Sequence, residues 1–308
     1  MTAIIEALNL SRWYGNVLGI SEVNLEIQPG ITALLGPNGA GKSTFMKIIT
    51  GQLKPNIGEV RILGEKVWNN RHIFRRLGFC PEVDAFYEEL SGFEFLFFLL
   101  SLYGFTTAES RKKAELALEL VELTEVKDRQ IRSYSRGMRQ RIKIAQAIAH
   151  NPEIIILDEP LNGLDPLSKR RIIKLIKEFK GEGKTIVVSS HILPEVEALT
   201  SEIVLIHQGK ILARGDIYFI RELIDSHPHM IRIKSPHFRQ LAKILAGEDY
   251  ILNISFKPQE NVVIFETHHR DRFFNRLNEL ILGSLVTIDE ITSPDDNLQA
   301  VFDYLVGK

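Results

Sequence analysis

The run Gly36-Pro37-Asn38-Gly39-Ala40-Gly41-Lys42-Ser43-Thr44 has the spacing glycine, four residues, Gly-Lys-Ser. That spacing suits phosphate. Glycines let the backbone curl so that successive N–H groups point at phosphate oxygens. A helix that begins at the loop adds the positive end of its dipole. Lys42 then reaches the terminal phosphates, and the Ser43 hydroxyl can ligate Mg²⁺. Farther along, Ile154-Ile155-Ile156-Leu157 runs directly into Asp158-Glu159. A buried strand that ends in two acids brings carboxylates to the carboxyl edge of a sheet, where ligands of open α/β folds sit. Asp158 would position Mg²⁺ directly or through a water. Glu159 would hold and deprotonate an attacking water.

Those residues need a frame of strands and helices. A short buried strand is expected at 31–35, before the glycine-rich loop, and an apolar helix at 43–49 after it. Residues 4–27 read as short β-rich pieces broken by turns. Further strands are expected at 58–63, 77–80, 154–157 and 185–189. Helices are expected at 91–103, 107–123, 136–150 and 167–179. In the second of these Ala114, Leu118 and Val121 share one face. The helix at 136–150 is stopped by Asn151-Pro152. A hairpin at 203–213 turns at Gln208-Gly209. Strands alternating with helices predict a parallel sheet with helices packed on it. The most hydrophobic stretch, 93–105, contains Glu94 and Ser101 and falls short of the ~20 apolar residues of a membrane helix. It reads as a buried helix of a small subdomain.

Near residues 216–225 the pattern gives way to a connecting helix. The remainder reads as strand 230–234, helix 238–245, strands 251–256 and 262–266, helix 270–282 and strand 285–291. That order is the split βαβ of a ferredoxin-like fold. A final helix is expected at 297–305. His268 and His269 lie in or just after a strand, where neighbours face opposite ways, so no shared metal site is expected of them.

With the phosphate loop and the acidic pair in place, the chain resembles the ATP-binding cassette family. That family carries a third motif, usually Leu-Ser-Gly-Gly-Gln, before a basic helix. Here it reads Tyr134-Ser135-Arg136-Gly137-Met138. Ser135 and Gly137 match, and the departures resemble the Tyr-Ser-Lys-Gly-Met form of an exporter-type branch. A serine there caps the helix, and the dipole favours phosphate. The resemblance implies that Ser135 and Gly137 face the γ-phosphate held by a second subunit. It also implies a dimer-contact loop at Leu161-Asn162-Gly163-Leu164-Asp165, a γ-phosphate contact from His191, and an adenine stack from Tyr14. Where the family carries glutamine after the strand at 77–80, this chain has Glu82, in Cys80-Pro81-Glu82. Glutamate can also ligate Mg²⁺ but adds negative charge beside the phosphates. Ser293-Pro294-Asp295-Asp296-Asn297-Leu298, before Val301-Phe302, resembles the usual ending of that branch. The tail would be regulatory, dimer-stabilising or a passive packing appendage.

The expected fold is therefore α/β, a P-loop NTPase of cassette type with a mixed sheet core, an antiparallel β subdomain and a helical subdomain at about 84–150. It occupies residues 1–220, and a ferredoxin-like α+β domain occupies 221–308. The resemblance implies ATP and Mg²⁺ as ligands, hydrolysis on dimerisation, an integral membrane partner, and a second cassette subunit that is a copy of this chain. The cytoplasmic helices of the membrane partner would dock near Glu82 and residues 86–98. The expected place is the inner face of the cell membrane.

Composition bounds these readings. The 308 residues are 44% hydrophobic and 25% charged, with a formal net charge of −1 and one cysteine, Cys80. The charge lacks the footprint of a dedicated nucleic-acid binder. A lone cysteine allows no internal disulfide and suits a reducing compartment. Residues 1–10 lack a basic region followed by an apolar block, so no signal peptide is expected. Two rivals remain: a soluble cassette ATPase acting on ribosomes or DNA, and a binding module that does not hydrolyse. The first usually carries two cassettes or long coiled coils. Lys42, Asp158, Glu159 and His191 argue against the second.

Overall fold

Two long strands open the chain, β1 (Ile5–Tyr14) and β2 (Val17–Ile27), in a computed structural model that describes residues 3–216, 228–283 and 285–293. They replace the short pieces expected at 4–27. Asn9 and Glu22 adopt left-handed φ values of 50° and 52° where the pairing register shifts, so bulges interrupt this hairpin without breaking it. With β4 (Ile57–Ile62) and β5 (Glu65–Lys66) these strands form an antiparallel sheet in the order β2-β1-β4-β5.

The second sheet holds β3 (Ile31–Leu35), β6 (Leu77–Cys80), β7 (Ile154–Leu157), β8 (Thr185–Ser190), β9 (Glu202–His207) and β10 (Lys210–Asp216), in the order β10-β9-β3-β8-β7-β6. Five of its strands run parallel, and β10 alone is antiparallel. The β9–β10 turn has Gln208 and Gly209 at φ 48° and 78°, the doubly left-handed turn that matches strand twist. The unbroken apolar run of β7 follows from burial on both faces. Ile154 and Ile156 join the core beneath the antiparallel sheet, with Phe45 and Met46 of helix α1 (Lys42–Ile49). Ile155 and Leu157 join the opposite core.

That opposite core is closed by helices, following the short α2 (Arg71–Arg76) in the chain. They are α3 (Gly92–Leu102), α4 (Thr107–Leu120), α5 (Arg136–Ile148) and α6 (Pro166–Gly181), with α7 (Leu193–Glu197) after β8. Ser91 with Glu94, and Thr106 with Glu109, form reciprocal capping boxes that start α3 and α4. The hydrophobic stretch at 93–105 is largely α3, with Phe95, Leu96 and Leu100 buried. The helix expected at 107–123 stops at Leu120, because Glu122 is left-handed (φ 56°), yet Val121 and Leu123 stay buried. No helix among the described residues is long and apolar enough to cross a membrane.

This first unit spans Met1–Asp216, and a second spans Ile217–Lys308. The second contains β11 (His229–Lys234), α8 (Phe238–Leu245), β12 (Ile251–Lys257), β13 (Val262–Thr267), α9 (Arg270–Leu282) and β14 (Glu290–Thr292). Its antiparallel sheet has the order β12-β13-β11-β14, a ferredoxin-like arrangement. Ile231, Ile233, Val263 and Phe265 pack against Leu241, Leu245, Phe273 and Leu277. The last strand is shorter than the expected 285–291. Val286 is drawn into the core and the Thr287 carbonyl accepts from Ser235 Oγ at 2.6 Å, so ladder pairing is confined to 290–292. The expected connecting helix, beyond Asp216 at the end of β10, falls at 217–225 outside the described residues. So do the final helix at 297–305 and the motif after Ser293.

His150, beyond the end of α5, is 7% exposed. Its ring stacks on Tyr103 at 4.3 Å, and its Nε2 lies 3.1 Å from the Leu77 carbonyl. Burial pushes its pKa down from 6.5 to about 4. The folded state thus holds His150 neutral while the unfolded chain binds a proton below about pH 6.5. This contribution is fully present above pH 6.5 and is lost as pH falls toward 4, by at most about 3 kcal/mol. Urea unfolding at pH 7.5, 6 and 4.5 should show that loss. His150→Gln should flatten it, and an unchanged pH slope in that variant would assign the acid sensitivity elsewhere.

Candidate functional site

β3 ends at Leu35, and the chain leaves the sheet as the phosphate loop. A Cβ at Gly36 would lie 2.3 Å from the Ile206 carbonyl, so only glycine lets the loop pass so close to β9. Gly41, at φ 107°, delivers the chain into α1. Lys42, the first residue of that helix, turns its ammonium back under the loop. Its Nζ donates to the Gly36 carbonyl at 2.6 Å and to the Pro37 carbonyl at 3.2 Å. The next two side chains point to other edges. Ser43 Oγ donates to Glu82 Oε2 at 3.5 Å, and Thr44 Oγ1 lies 3.4 Å from Tyr14 Oη. The Tyr14 ring covers Gly19 so closely that a Cβ there would lie 2.9 Å from the ring edge. The Arg12 guanidinium sits 5.3 Å from the ring centroid.

β7 delivers the acids. Asp158 is 1% and Glu159 5% exposed. Ser189 of β8 joins them: its hydroxyl donates to Asp158 Oδ1 at 2.6 Å and accepts the Glu159 N–H at 2.8 Å. Glu159 sits at φ 48°, a left-handed conformation that costs a non-glycine residue about 1 kcal/mol or more. Three bonds hold it there. The first is that from its N–H to Ser189; the others come from Gln140 Nε2 of α5, to the Glu159 carbonyl at 3.3 Å and the Pro160 carbonyl at 3.0 Å. The carboxylate therefore turns into the loop. Oε1 lies 3.4 Å from Lys42 Nζ, both side chains 6% exposed, and Oε2 lies 3.0 Å from His191 Nδ1. A carboxylate only accepts, so His191 donates from that nitrogen.

The loop, Tyr14 and Glu159 border a cavity of about 520 Å³ lined by Tyr14, Val17, Leu18 and Gly19, by residues 38–44, and by Glu82 and Glu159; Asp158 and His191 are not in its lining and adjoin it through Glu159. Aromatic and apolar side chains form one end; backbone, hydroxyl, ammonium and carboxylate form the other. Such a graded cavity fits a base and a polyphosphate. The oxygen donors of Ser43, Glu82 and Asp158 are the type that magnesium takes when it shares phosphate oxygens. Glu159 Oε1 is buried without a hydrogen-bond partner, an acceptor aimed into the same space.

Not every expected residue lies there. Ser135 caps α5, accepting the Met138 N–H at 3.3 Å, and Gly137 is open above Gly163 and Leu164. Asp165 caps α6 by accepting the N–H groups of Leu167 and Ser168, each at 3.0 Å. The bonds from Ser168 hold its carboxyl below the usual carboxylate range. None of Ser135, Gly137 and Asp165 lines the phosphate cavity of its own chain. Arg136 Nη2 donates to Asn162 Oδ1 at 2.8 Å, tying the first two of these positions to the loop before Asp165. Ser189 and Gln140 were not singled out by the motifs. A serine closing a wholly buried β-rich run, and a glutamine on the buried side of α5, were the available signals.

Residues 20–162 match a family model described as ABC transporter. The chain is 31% identical to a bacitracin transport ATP-binding protein of Bacillus licheniformis, over 100% of this chain and 98% of that one. It is 38% identical to a lantibiotic transport ATP-binding protein of Streptococcus pyogenes, over 68% of this chain and 89% of that one. A dimeric bacterial ABC transporter cassette superposes with a TM-score of 0.65 at 29% identity, covering 69% of this chain and 98% of that structure. A dimeric cassette in a post-hydrolysis state with ADP and Pi superposes with a TM-score of 0.64 at 28% identity, with the same coverage.

Ser189 is the hub of the buried acids. Ser189→Ala leaves Asp158 Oδ1 and the Glu159 N–H unpaired in the interior, which should cost about 1–3 kcal/mol in urea unfolding. An unchanged midpoint would mean that the two groups find other partners.

Proposed function

The chain belongs to the ABC transporter family as an ATP-hydrolysing ATP-binding subunit, and we propose that two copies of it power export through a separate membrane-spanning partner. The observation that carries the reading is the triad Lys42–Glu159–His191, built around the buried Glu159 carboxylate at the mouth of the phosphate loop. In it a general base, a phosphate-binding cation and a γ-phosphate contact are already in register.

The residues divide the work. Tyr14 stacks on the adenine, and the N–H groups of Gly39, Ala40, Gly41, Lys42, Ser43 and Thr44 cradle the phosphates, with Gly36, Pro37 and Asn38 shaping the loop. Lys42 exchanges its carbonyl partners for phosphate oxygens. Ser43, Glu82 and Asp158 would hold a magnesium ion, which supplies charge neutralisation at the phosphate oxygens. Glu159 orients the attacking water and takes its proton. His191 keeps that carboxylate aimed and steadies the γ-phosphate. Ser135, Gly137 and Asp165 stand apart from the cavity of their own chain. They serve the site of the opposite copy, where the α5 N-terminus meets the γ-phosphate. Closure thereby completes each site, and release of product reopens the pair.

Relatives whose names concern bacitracin and lantibiotic transport favour export, and support a working position on the inner face of the membrane. The cargo is chosen by the spanning partner.

Glu159→Gln removes the base but keeps the shape. It should lower ATP turnover by about 10²-fold or more while an ATP-dependent dimer persists in size-exclusion chromatography. Turnover near that of the unsubstituted chain would dismiss Glu159 as the base. Glu82→Gln removes a charge from the metal side. The Mg²⁺ concentration for half-maximal turnover should rise about threefold, with ATP binding in EDTA preserved. Superimposable Mg²⁺ titrations would exclude Glu82 from the metal site.

A further inference from the structure

Lys143 lies about two turns beyond Ser135 on α5, and its side chain is only 4% exposed. Its Nζ donates to the Glu82 carbonyl at 2.6 Å and lies 3.0 Å from Asp84 Oδ1. Arg139, one turn earlier, adds a second tie: its Nη1 is 2.9 Å from Glu88 Oε1 and 3.5 Å from Asp84 Oδ2. One face of α5 thus holds the segment after β6 through two cations. Filling space at such a position needs only an apolar side chain, because a buried ammonium is costly unless it is paired and hydrogen-bonded. The chemistry at the end of Lys143 therefore indicates what the residue does.

What it grips is the backbone of Glu82, whose carboxylate meets Ser43 of the phosphate loop. The same helix carries Ser135 at its N-terminus and, through Gln140, holds the carbonyl of Glu159. Glu82 stands where the family usually has a neutral glutamine. The cavity therefore receives a charge that needs compensation, and the Lys143 ammonium lies beside that very residue.

We propose that Lys143 is a positioning residue for nucleotide binding: it fixes Glu82 toward Ser43 and offsets the added carboxylate, linking α5 to the metal side of the phosphate site. This rests on the reading that Glu82 serves a magnesium–nucleotide complex. Lys143 should then matter to nucleotide binding only when Mg²⁺ is present, and only while Glu82 is there.

The test is a fluorescence titration of the full chain carrying Glu159→Gln with mant-ATP, in Mg²⁺ and in EDTA. Adding Lys143→Met should weaken binding roughly tenfold in Mg²⁺ and less than about twofold in EDTA. In a Glu82→Ala background the same change should cost less than about twofold in either buffer. Lys143→Arg, which keeps the charge, should restore most of the affinity. Asp84→Asn, at a half-exposed carboxylate, should weaken Mg²⁺-dependent binding about threefold and carries the test if Lys143→Met does not fold. Equal losses in Mg²⁺ and EDTA, or full additivity with Glu82→Ala, would overturn the proposal and leave Lys143 as a packing residue. A parent chain that binds mant-ATP in neither buffer would instead overturn the nucleotide reading itself.

Discussion

A carboxylate almost wholly removed from water, Glu159, is the constraint on which the site depends. Burying such a charge is costly unless it is paired and hydrogen-bonded. Lys42 and His191 supply the pairing, at 3.4 Å and 3.0 Å. Those partners come from the start of α1, after β3, and from just beyond β8, so three parallel strands must end at one edge with little play. Losing both arms would leave a buried charge uncompensated, at a cost of about 3–5 kcal/mol. The same low-dielectric setting that makes the group costly suits it to the base role proposed for it.

The fold provides that rigidity by burying both faces of its parallel sheet. Alternate residues of β7 enter opposite cores, so the strand that carries Asp158 and Glu159 is clamped from both sides. Glu159, two residues beyond its end, bends into the left-handed region to turn the carboxylate inward. Ser189 and Gln140 secure that bend from β8 and from α5. α5 therefore does more than present a capped N-terminus. It touches the backbone of Glu159 through Gln140 and that of Glu82 through Lys143. A movement of this helix is bound to be felt at both carboxylates, a mechanical link between the capped N-terminus of α5 and the cavity of the chain.

Much of this was legible in the residues. The glycine spacing before Lys42, the apolar run into Asp158-Glu159 and the alternation of strand and helix signals each have a local cause, and the structure places them as that cause requires. Boundaries were less legible. The hairpin at 5–27 looked fragmented because bulges at Asn9 and Glu22 imitate turns in sequence. The last strand of the second unit looked longer because Val286 is apolar for the core and not for the ladder.

The sequence by itself determined which groups could bind phosphate and which acid could serve as base, since those properties reside in residue type and short spacing. It also determined the two-unit order of elements, because hydrophobic period is local. Only the tertiary structure decided that Lys42, Glu159 and His191 meet, that Ser189 bonds both acids, and that Lys143 holds Glu82. It likewise kept Ser135, Gly137 and Asp165 out of the cavity of their own chain. The partners in those contacts lie 30 to 117 positions apart where they pair around the acids, from Ser189–Glu159 to Lys42–Glu159. No local rule fixes such distances; they follow from which strands lie side by side in the sheet.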